Sequence, residues 1–248
     1  MRKLFSSLLS VAMLVSFPVI SFGYGVIDFE MDGAQDDMFI SDQFYASHGL
    51  TFGLDLNGDR IADEGAFPSL ERVGHDGTDG FLNDPISQHD VARSGFEKQL
   101  GNFFLKTTSG VQNQQGNIPS LMIMYNTGTS EMSGEIWDID GTPALGTEKW
   151  LIEALGKNGE LLDTLESPEY FNREDATSLN GAPFEWSFKR PTADIYAIRL
   201  AFAGTKLRGT GLAFNNFSPY SAVPETGTMF MLGSGLIGIA ALLRKRCR

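Results

Sequence analysis

The stretch DLNGDRIADE, residues 55 to 64, holds the best-formed set of potential ligands in the chain. A hard cation such as calcium takes oxygen donors from a tightly turning loop, at relative positions 1, 3, 5 and 9 with a backbone carbonyl at 7. Asp55, Asn57, Asp59, the carbonyl of Ile61 and Asp63 fall at those positions, so calcium is the cofactor this spacing predicts. The aliphatic side chain of Ile61 is expected to be buried and to pin the loop to the core. Arg60 stands where such loops prefer glycine, and Ala66 where a bidentate acid closes the shell, so Glu64 or Glu71 would have to substitute. The competing reading is a solvated acidic turn.

Other chemistry-bearing residues give weaker patterns. Asp138, Asp140 and Glu148 surround EIWDIDGTPALGTEK; on a strand the two aspartates share one face, which makes a wet sheet face or a cation site. The wet face is the preferred reading. Glu30 and Asn216 could join the first and last strands around a structural calcium. His48, His75 and His89 are scattered, and neither a metalloprotease helix spacing, a nucleophile elbow nor a phosphate-binding Gly-rich loop is present. His75-Asp76 in GHDGTDG reads as a surface turn. Paired carboxylates for glycoside cleavage are set by separation in the fold, not by spacing in sequence. No catalytic residue is therefore assigned.

The elements that must position these groups read as strands. Period-two alternation places Leu50, Phe52 and Leu54 on one side of LTFGLDL, Phe184, Trp186 and Phe188 on one side of FEWSFKR, and Ile198, Leu200 and Phe202 on one side of YAIRLAFAG. Further strands are predicted in VIDFEM, GNFFLKT, SLMIMYN, EIWDID and KWLIEAL, with Asn158-Gly159 turning a hairpin into ELLDTL. Residues 57–95, rich in Gly, Asp, Asn and Pro, read as one long loop excursion, with a short helix over Asp90 to Leu100. Trp137, Trp150 and Trp186 lie in strands and are expected in the core. Roughly ten short strands with turn-rich links predict an all-β fold, an antiparallel β-sandwich or jelly roll.

Both ends read as addresses. Residues 1–23 have Arg2 and Lys3 ahead of an apolar stretch and small residues at Ser21 and Gly23, the pattern of a secretory signal peptide. Residues 24–220 would then form the ectodomain. At the other end come a hinge over Val223, Pro224, Glu225, Thr226 and Gly227, an uncharged segment over 228–243 and a basic tail over 244–248. That segment predicts a single short membrane helix, its arginines on the cytoplasmic side.

Three resemblances follow from these residues. Residues 223–248, with Val223-Pro224-Glu225, Leu232-Gly233-Ser234-Gly235-Leu236 and the RKR cluster, closely resemble the PEP-CTERM sorting signal. The resemblance implies recognition by an exosortase-type membrane transpeptidase. Thr226 replaces that signal's second proline, which gives VPETG some likeness to a sortase motif. The loop at Asp55 looks like the Asp-x-Asn-x-Asp loops of thrombospondin type 3 and dockerin modules. Finally, Phe29-Glu30, Asp42-Gln43-Phe44, Gly49-Leu50-Thr51-Phe52 and Phe214-Asn215-Asn216-Phe217 resemble a β-sandwich ectodomain often attached to this tail and similar to carbohydrate-binding jelly rolls.

Composition narrows the function classes. Outside residues 1–23 and 223–248 the chain holds 13 basic and 30 acidic residues, so nucleic acid is not an expected partner. The sole cysteine, Cys247, lies in the tail, which removes disulfides, cysteine nucleophiles and thiolate zinc sites from the ectodomain. The expectation is an exported cell-surface or extracellular protein, not an enzyme, whose ectodomain is a binding or matrix module with extracellular polysaccharide as its foremost candidate partner, or else an inert structural component. The alternative is a glycoside hydrolase or polysaccharide lyase on the same fold.

Overall fold

The computed structural model describes residues 26–74, 92–107, 118–170, 177–206, 210 and 213–218. The signal-peptide and sorting-signal segments lie outside these residues, as do His75, Asp76 and His89. Among the described residues no helix is long and apolar enough to cross a membrane.

The described chain is all-β, ten strands and one helical turn, α1 (Tyr45–His48). One antiparallel sheet has the order β1 (Leu50–Asp55), β4 (Ser120–Thr129), β9 (Ile195–Phe202), β6 (Trp150–Leu155), β7 (Leu161–Glu166). The second has the order β2 (Ser69–Arg72), β3 (Phe103–Lys106), β10 (Ala213–Asn215), β5 (Glu131–Trp137), β8 (Pro183–Lys189). Alternate residues of both sheets meet in one core: Phe52, Ile123, Ile152 and Ile198 from the first, Leu70, Leu105, Ile136, Trp186 and Phe214 from the second. All three tryptophans are buried, as their strand positions predicted.

The residues that resembled a β-sandwich ectodomain converge. The rings of Phe29, Phe44, Phe52 and Phe217 lie 5.7–6.0 Å apart in edge-on or tilted contacts, the favoured geometry for buried aromatic groups. Ile27 pairs with Phe217 as an isolated bridge, so VIDFEM is a single tie to the end of the fold and not the predicted strand. Gly134 is required where this cluster meets β5: a Cβ there would lie 2.5 Å from the Phe217 ring and 2.7 Å from Trp186.

The long excursion needs two corrections. Ser69–Arg72 inside it is a strand, paired with β3. Residues 92–100 form successive turns, with Phe96 N–H donating to Arg93 C=O and Gln99 N–H to Phe96 C=O, instead of the predicted helix. Gly95, with φ of +99°, breaks helical progression there. These turns cover part of the second sheet's outer face, where Leu100, Phe104, Trp137 and Ala213 make a small second core beneath Phe96. The hairpin at 158–159 is confirmed, with Gly159 at φ +78°.

Candidate functional site

The loop at Asp55 folds around its own carboxylates. Asp55 ends β1, and its side chain accepts from the N–H groups of Gly58 at 2.6 Å and Arg60 at 3.2 Å. Asp59 accepts from Ile61 N–H at 2.9 Å, and Asp63 from Leu56 N–H at 2.7 Å. Asn57 donates through its amide to Asp59 and accepts from Asp59 N–H. Arg60 takes the left-handed conformation, φ +71°, that glycine would otherwise supply. Ile61 is 65% exposed, which corrects the expectation that it pins the loop.

The pinning is electrostatic. Arg60 reaches from the loop to Glu153 on β6, at 2.7 Å, and Arg199 on β9 bridges Glu153 at 2.8 Å and Asp55 at 2.7 Å. Glu153 and Arg199 are cross-strand partners, which fixes this contact by register. Burial alone would raise the Asp55 carboxyl, but hydrogen bonds from Gly58 N–H and Arg199 hold it below its ordinary range. Burial likewise opposes Glu153, and Arg60 and Arg199 together hold it low. The Asp55 oxygen that a cation would share thus faces a guanidinium. As placed, the set does not fit a calcium shell, and among the described residues no group of three or more acidic, His or Cys side chains is arranged to hold a metal. Glu71, one candidate to close the shell, is paired with Lys106 at 3.2 Å.

The second acidic group is not a wet strand face. β5 stops at Trp137, Asp138 turns left-handed at φ +65°, and Asp138, Asp140 and Glu148 are 1%, 3% and 0% exposed. Once the strand ends, period-two alternation no longer sets which way a side chain points. Glu148 and Asp140 flank the buried end of Lys206, whose Nζ lies 2.6 Å from Glu148 and 3.5 Å from Asp140, and Asp138 accepts from Gly181 N–H. Glu30 and Asn216 each bind protein groups. Glu30 accepts from Asn102 and from Phe103 N–H, while Asn216 donates to Gln99 C=O and to Glu135.

A site that sequence reasoning did not mark lies on the outer face of the second sheet. Met132, Gly134 and Ile136 of β5 face the core, so Ser133 and Glu135 face outward, opposite Ser187 and Glu185 of β8. With Asn216 these groups line a cleft of about 270 Å³. Glu135 is 7% exposed and held by three donors: Gln99 Nε2 at 2.7 Å, Trp137 Nε1 at 2.9 Å and Asn216 Nδ2 at 2.8 Å. Glu185 stands exposed across the strand pair. Period-two alternation in EIWDID and FEWSFKR was the available signal, but their pairing is 50 residues apart and was not legible.

No family model matches this chain, and no curated protein does. Among solved structures it is similar to a glycoside hydrolase family 43 arabinoxylan arabinofuranohydrolase from Bacillus subtilis in complex with cellotetraose, at 16% identity and a TM-score of 0.29, over 63% of this chain and 25% of that one. It is also similar to the enzymatically active domain of a bacteriophage CBA120 tailspike protein, at 14% identity and a TM-score of 0.29, over 72% of this chain and 20% of that one. A third is the cleaved adhesin domain of Lys-gingipain from Porphyromonas gingivalis, at 10% identity and a TM-score of 0.26, over 73% and 85% of the two chains. The chain spans about a quarter or less of the first two. Similarities this slight define no class of protein, so the functional reading rests on the residues.

Proposed function

We propose that this is an exported protein whose β-sandwich binds extracellular polysaccharide through the cleft between Glu135 and Glu185, without turning it over. The cleft's outward hydroxyl, amide and carboxylate groups carry this reading. Ser133, Ser187, Asn216 and the two glutamates present both donors and acceptors on a fixed sheet, and sugar hydroxyls need both. Catalysis by the same pair would need a carboxylic acid able to hand a proton to the leaving oxygen. Glu135 instead spends both oxygens on protein N–H donors, Oε1 on Gln99 and Oε2 on Trp137 and Asn216. One lone pair of Oε1 remains to accept a sugar hydroxyl. Purified protein on a glycan array, with product analysis of every retained glycan, tests this. Retention that Glu185→Ala abolishes, with no product formed, is expected; product formation would make the cross-strand carboxylates a glycosidase pair.

Export and processing belong to the same proposal. Residues 1–23 are the signal peptide, and residues 223–248 the sorting signal read by an exosortase-type transpeptidase. The proline-stiffened hinge supplies an extended segment for recognition, and the helix over 228–243 holds the precursor in the inner membrane. Replacing Pro224 and Glu225 should leave a heavier, cell-associated form. Unchanged mass and location would overturn this processing.

A further inference from the structure

A strand at the edge of a sheet carries a row of unpaired N–H and C=O groups that another strand can join. Of the four edges here, β1 is covered by its own chain, with Phe52 N–H donating to Ser41 C=O and Leu54 N–H to Ala66 C=O. The edge at β2 is covered by residues 37–40, where Ile40 N–H donates to Pro68 C=O and Leu70 N–H to Met38 C=O. At β7 the Arg190 guanidinium reaches Leu162 C=O. Among the described residues β8 is the edge without such cover, since beyond its ladder with β5 no backbone hydrogen bond reaches residues 184–189. The direction of its free groups follows from the ladder. Arg190 N–H donates to Ser130 C=O, and Ser133 on β5 turns its N–H and C=O away from β8, toward Ser218. Hydrogen-bonded and non-hydrogen-bonded pairs alternate along an antiparallel ladder. Phe184, Trp186 and Phe188 therefore spend their backbone groups on β5, while Glu185, Ser187 and Lys189 aim theirs at the open edge. The side chains of those same three residues are exposed on the outer face.

This strand is self-complementary about Ser187. We infer that β8 pairs antiparallel with β8 of a second copy of the chain, across a two-fold axis at Ser187. That register sets Ser187 against itself and Glu185 of each chain against Lys189 of the other, and all of these pairs exchange the backbone groups that face the edge. Charge selects the register. Glu185 stands directly opposite Glu135 on β5, a like-charge pair that destabilises a sheet, and among the described residues it has no ion-pair partner. Lys189 of the second copy supplies the cation. Lys189 holds Glu131 at 2.6 Å on its β5 side, with its side chain 80% exposed, and an ammonium has three donors, so a second carboxylate can share it. Shifting one copy by two residues sets Glu185 or Lys189 against Ser187 and forfeits both ion pairs. A shift of one residue would set outward side chains against inward ones. The pairing runs edge to edge, so it leaves the outer faces open. It brings the two clefts side by side, with Lys189 of each copy beside Glu185 in the cleft of the other.

Sedimentation of the full chain purified from cells, over a rising series of concentrations, should show a monomer–dimer equilibrium. Glu185→Lys sets lysines against lysines and Lys189→Glu sets glutamates against glutamates, so each variant alone should associate at least about tenfold more weakly. Both positions are exposed, and circular dichroism should stay native. An equimolar mixture of the two variants restores opposite charges at both pairs, and a fluorescent tag on one of them should report its return to the dimer. No glycan is present, so the outcome does not depend on the polysaccharide reading. A wild-type chain that stays monomeric at every concentration overturns the pairing. Association that either substitution leaves unchanged overturns it too, because other contacts would then join the copies. A mixture that associates no more strongly than its components overturns the register.

Discussion

Two of the buried ion clusters among the described residues differ in the cation that joins their acids. On the outer face of the first sheet, Asp55 and Glu153 meet Arg60 and Arg199, two acids against two guanidiniums. Beyond the strand ends, the buried Glu148 and Asp140 meet the ammonium of Lys206. The first cluster holds both its carboxyls low, whereas in the second burial wins and raises Glu148. Geometry explains the contrast. Guanidinium forks satisfy several oxygens at once, and Arg199 bridges both acids from a register-fixed strand position. Lys206 brings a single nitrogen, 2.6 Å from Glu148 and 3.5 Å from Asp140. The first cluster therefore acts as a fastening of the loop to the sheet.

The largest expected effect breaks the fastening. Arg199→Met leaves Asp55 and Glu153, 0% and 2% exposed at their side chains, without their shared partner. Loss of one member of a buried pair costs about 3–5 kcal/mol. Urea unfolding at neutral pH should show the midpoint falling with the slope unchanged. A loss below about 1 kcal/mol, the range of exposed pairs, would mean that this cluster is not the tie holding the loop.

Glu135 tests a third arrangement, a buried carboxylate held by neutral donors alone. Glu135→Ala removes the acceptor of Trp137 Nε1 and of Gln99 Nε2 and one of the two acceptors of Asn216 Nδ2, and unsatisfied buried groups cost about 1–3 kcal/mol. Glu185→Ala, at an exposed position, should stay within about 0.5 kcal/mol of wild type. Both should lose glycan retention. Loss of retention in Glu185→Ala without loss of stability separates a binding defect from a folding one.

Much of this fold was legible because alternation is local. LTFGLDL, FEWSFKR and YAIRLAFAG each carry their burial pattern within seven to nine residues, and they became β1, β8 and β9. The strand at Ser69–Arg72 escaped notice because four residues, the last two of them charged, hold too little alternation; its pairing with Phe103–Lys106 defines it. Asp138 and Asp140 were misread for the opposite reason, since the alternation of EIWDID runs past the point where the strand ends. The sites are long-range. Arg199 lies 144 residues from Asp55, and Lys206 lies 58 from Glu148. Only the strand order brings such pairs together, and no spacing rule announces it.

Titration sharpens the comparison with opposite signs. Asp55 and Glu153 have folded values below their ordinary 3.8 and 4.5, so their stabilisation is present above those values and is lost as pH falls through the lowered ones. Glu148 is raised, so the folded chain keeps a proton that the unfolded chain has released between 4.5 and about 7. Its stabilisation is therefore complete below 4.5 and lost as pH rises toward 7, at no more than about 1.4 kcal/mol per pH unit for one proton. Unfolding free energy against pH should flatten on its neutral side in Glu148→Gln and on its acid side in Arg199→Met. If one substitution altered both limbs, the clusters would be coupled and not independent.

The smallest effect concerns calcium at the Asp55 loop. Its backbone already turns left-handed at Gly58 and Arg60, at φ +83° and +71°, and its Asx turns hold the acids in place. What stands against a cation is Arg199, 2.7 Å from the Asp55 oxygen that the ion would share. A divalent ion beside a guanidinium is repelled by several kcal/mol even at an effective dielectric of about 20. The wild-type melting midpoint should therefore be nearly flat between chelator and millimolar calcium. In Arg199→Met the repulsion is gone and the buried Asp55 carboxylate loses its guanidinium, while Glu153 keeps Arg60, so calcium should raise the midpoint in proportion to the logarithm of its concentration, with magnesium weaker. A clear rise in the wild type would show that calcium displaces Arg199, making the fastening cluster an exchangeable one. No rise in either chain would leave DLNGDRIADE as a turn whose acids serve only its own N–H groups and the arginines.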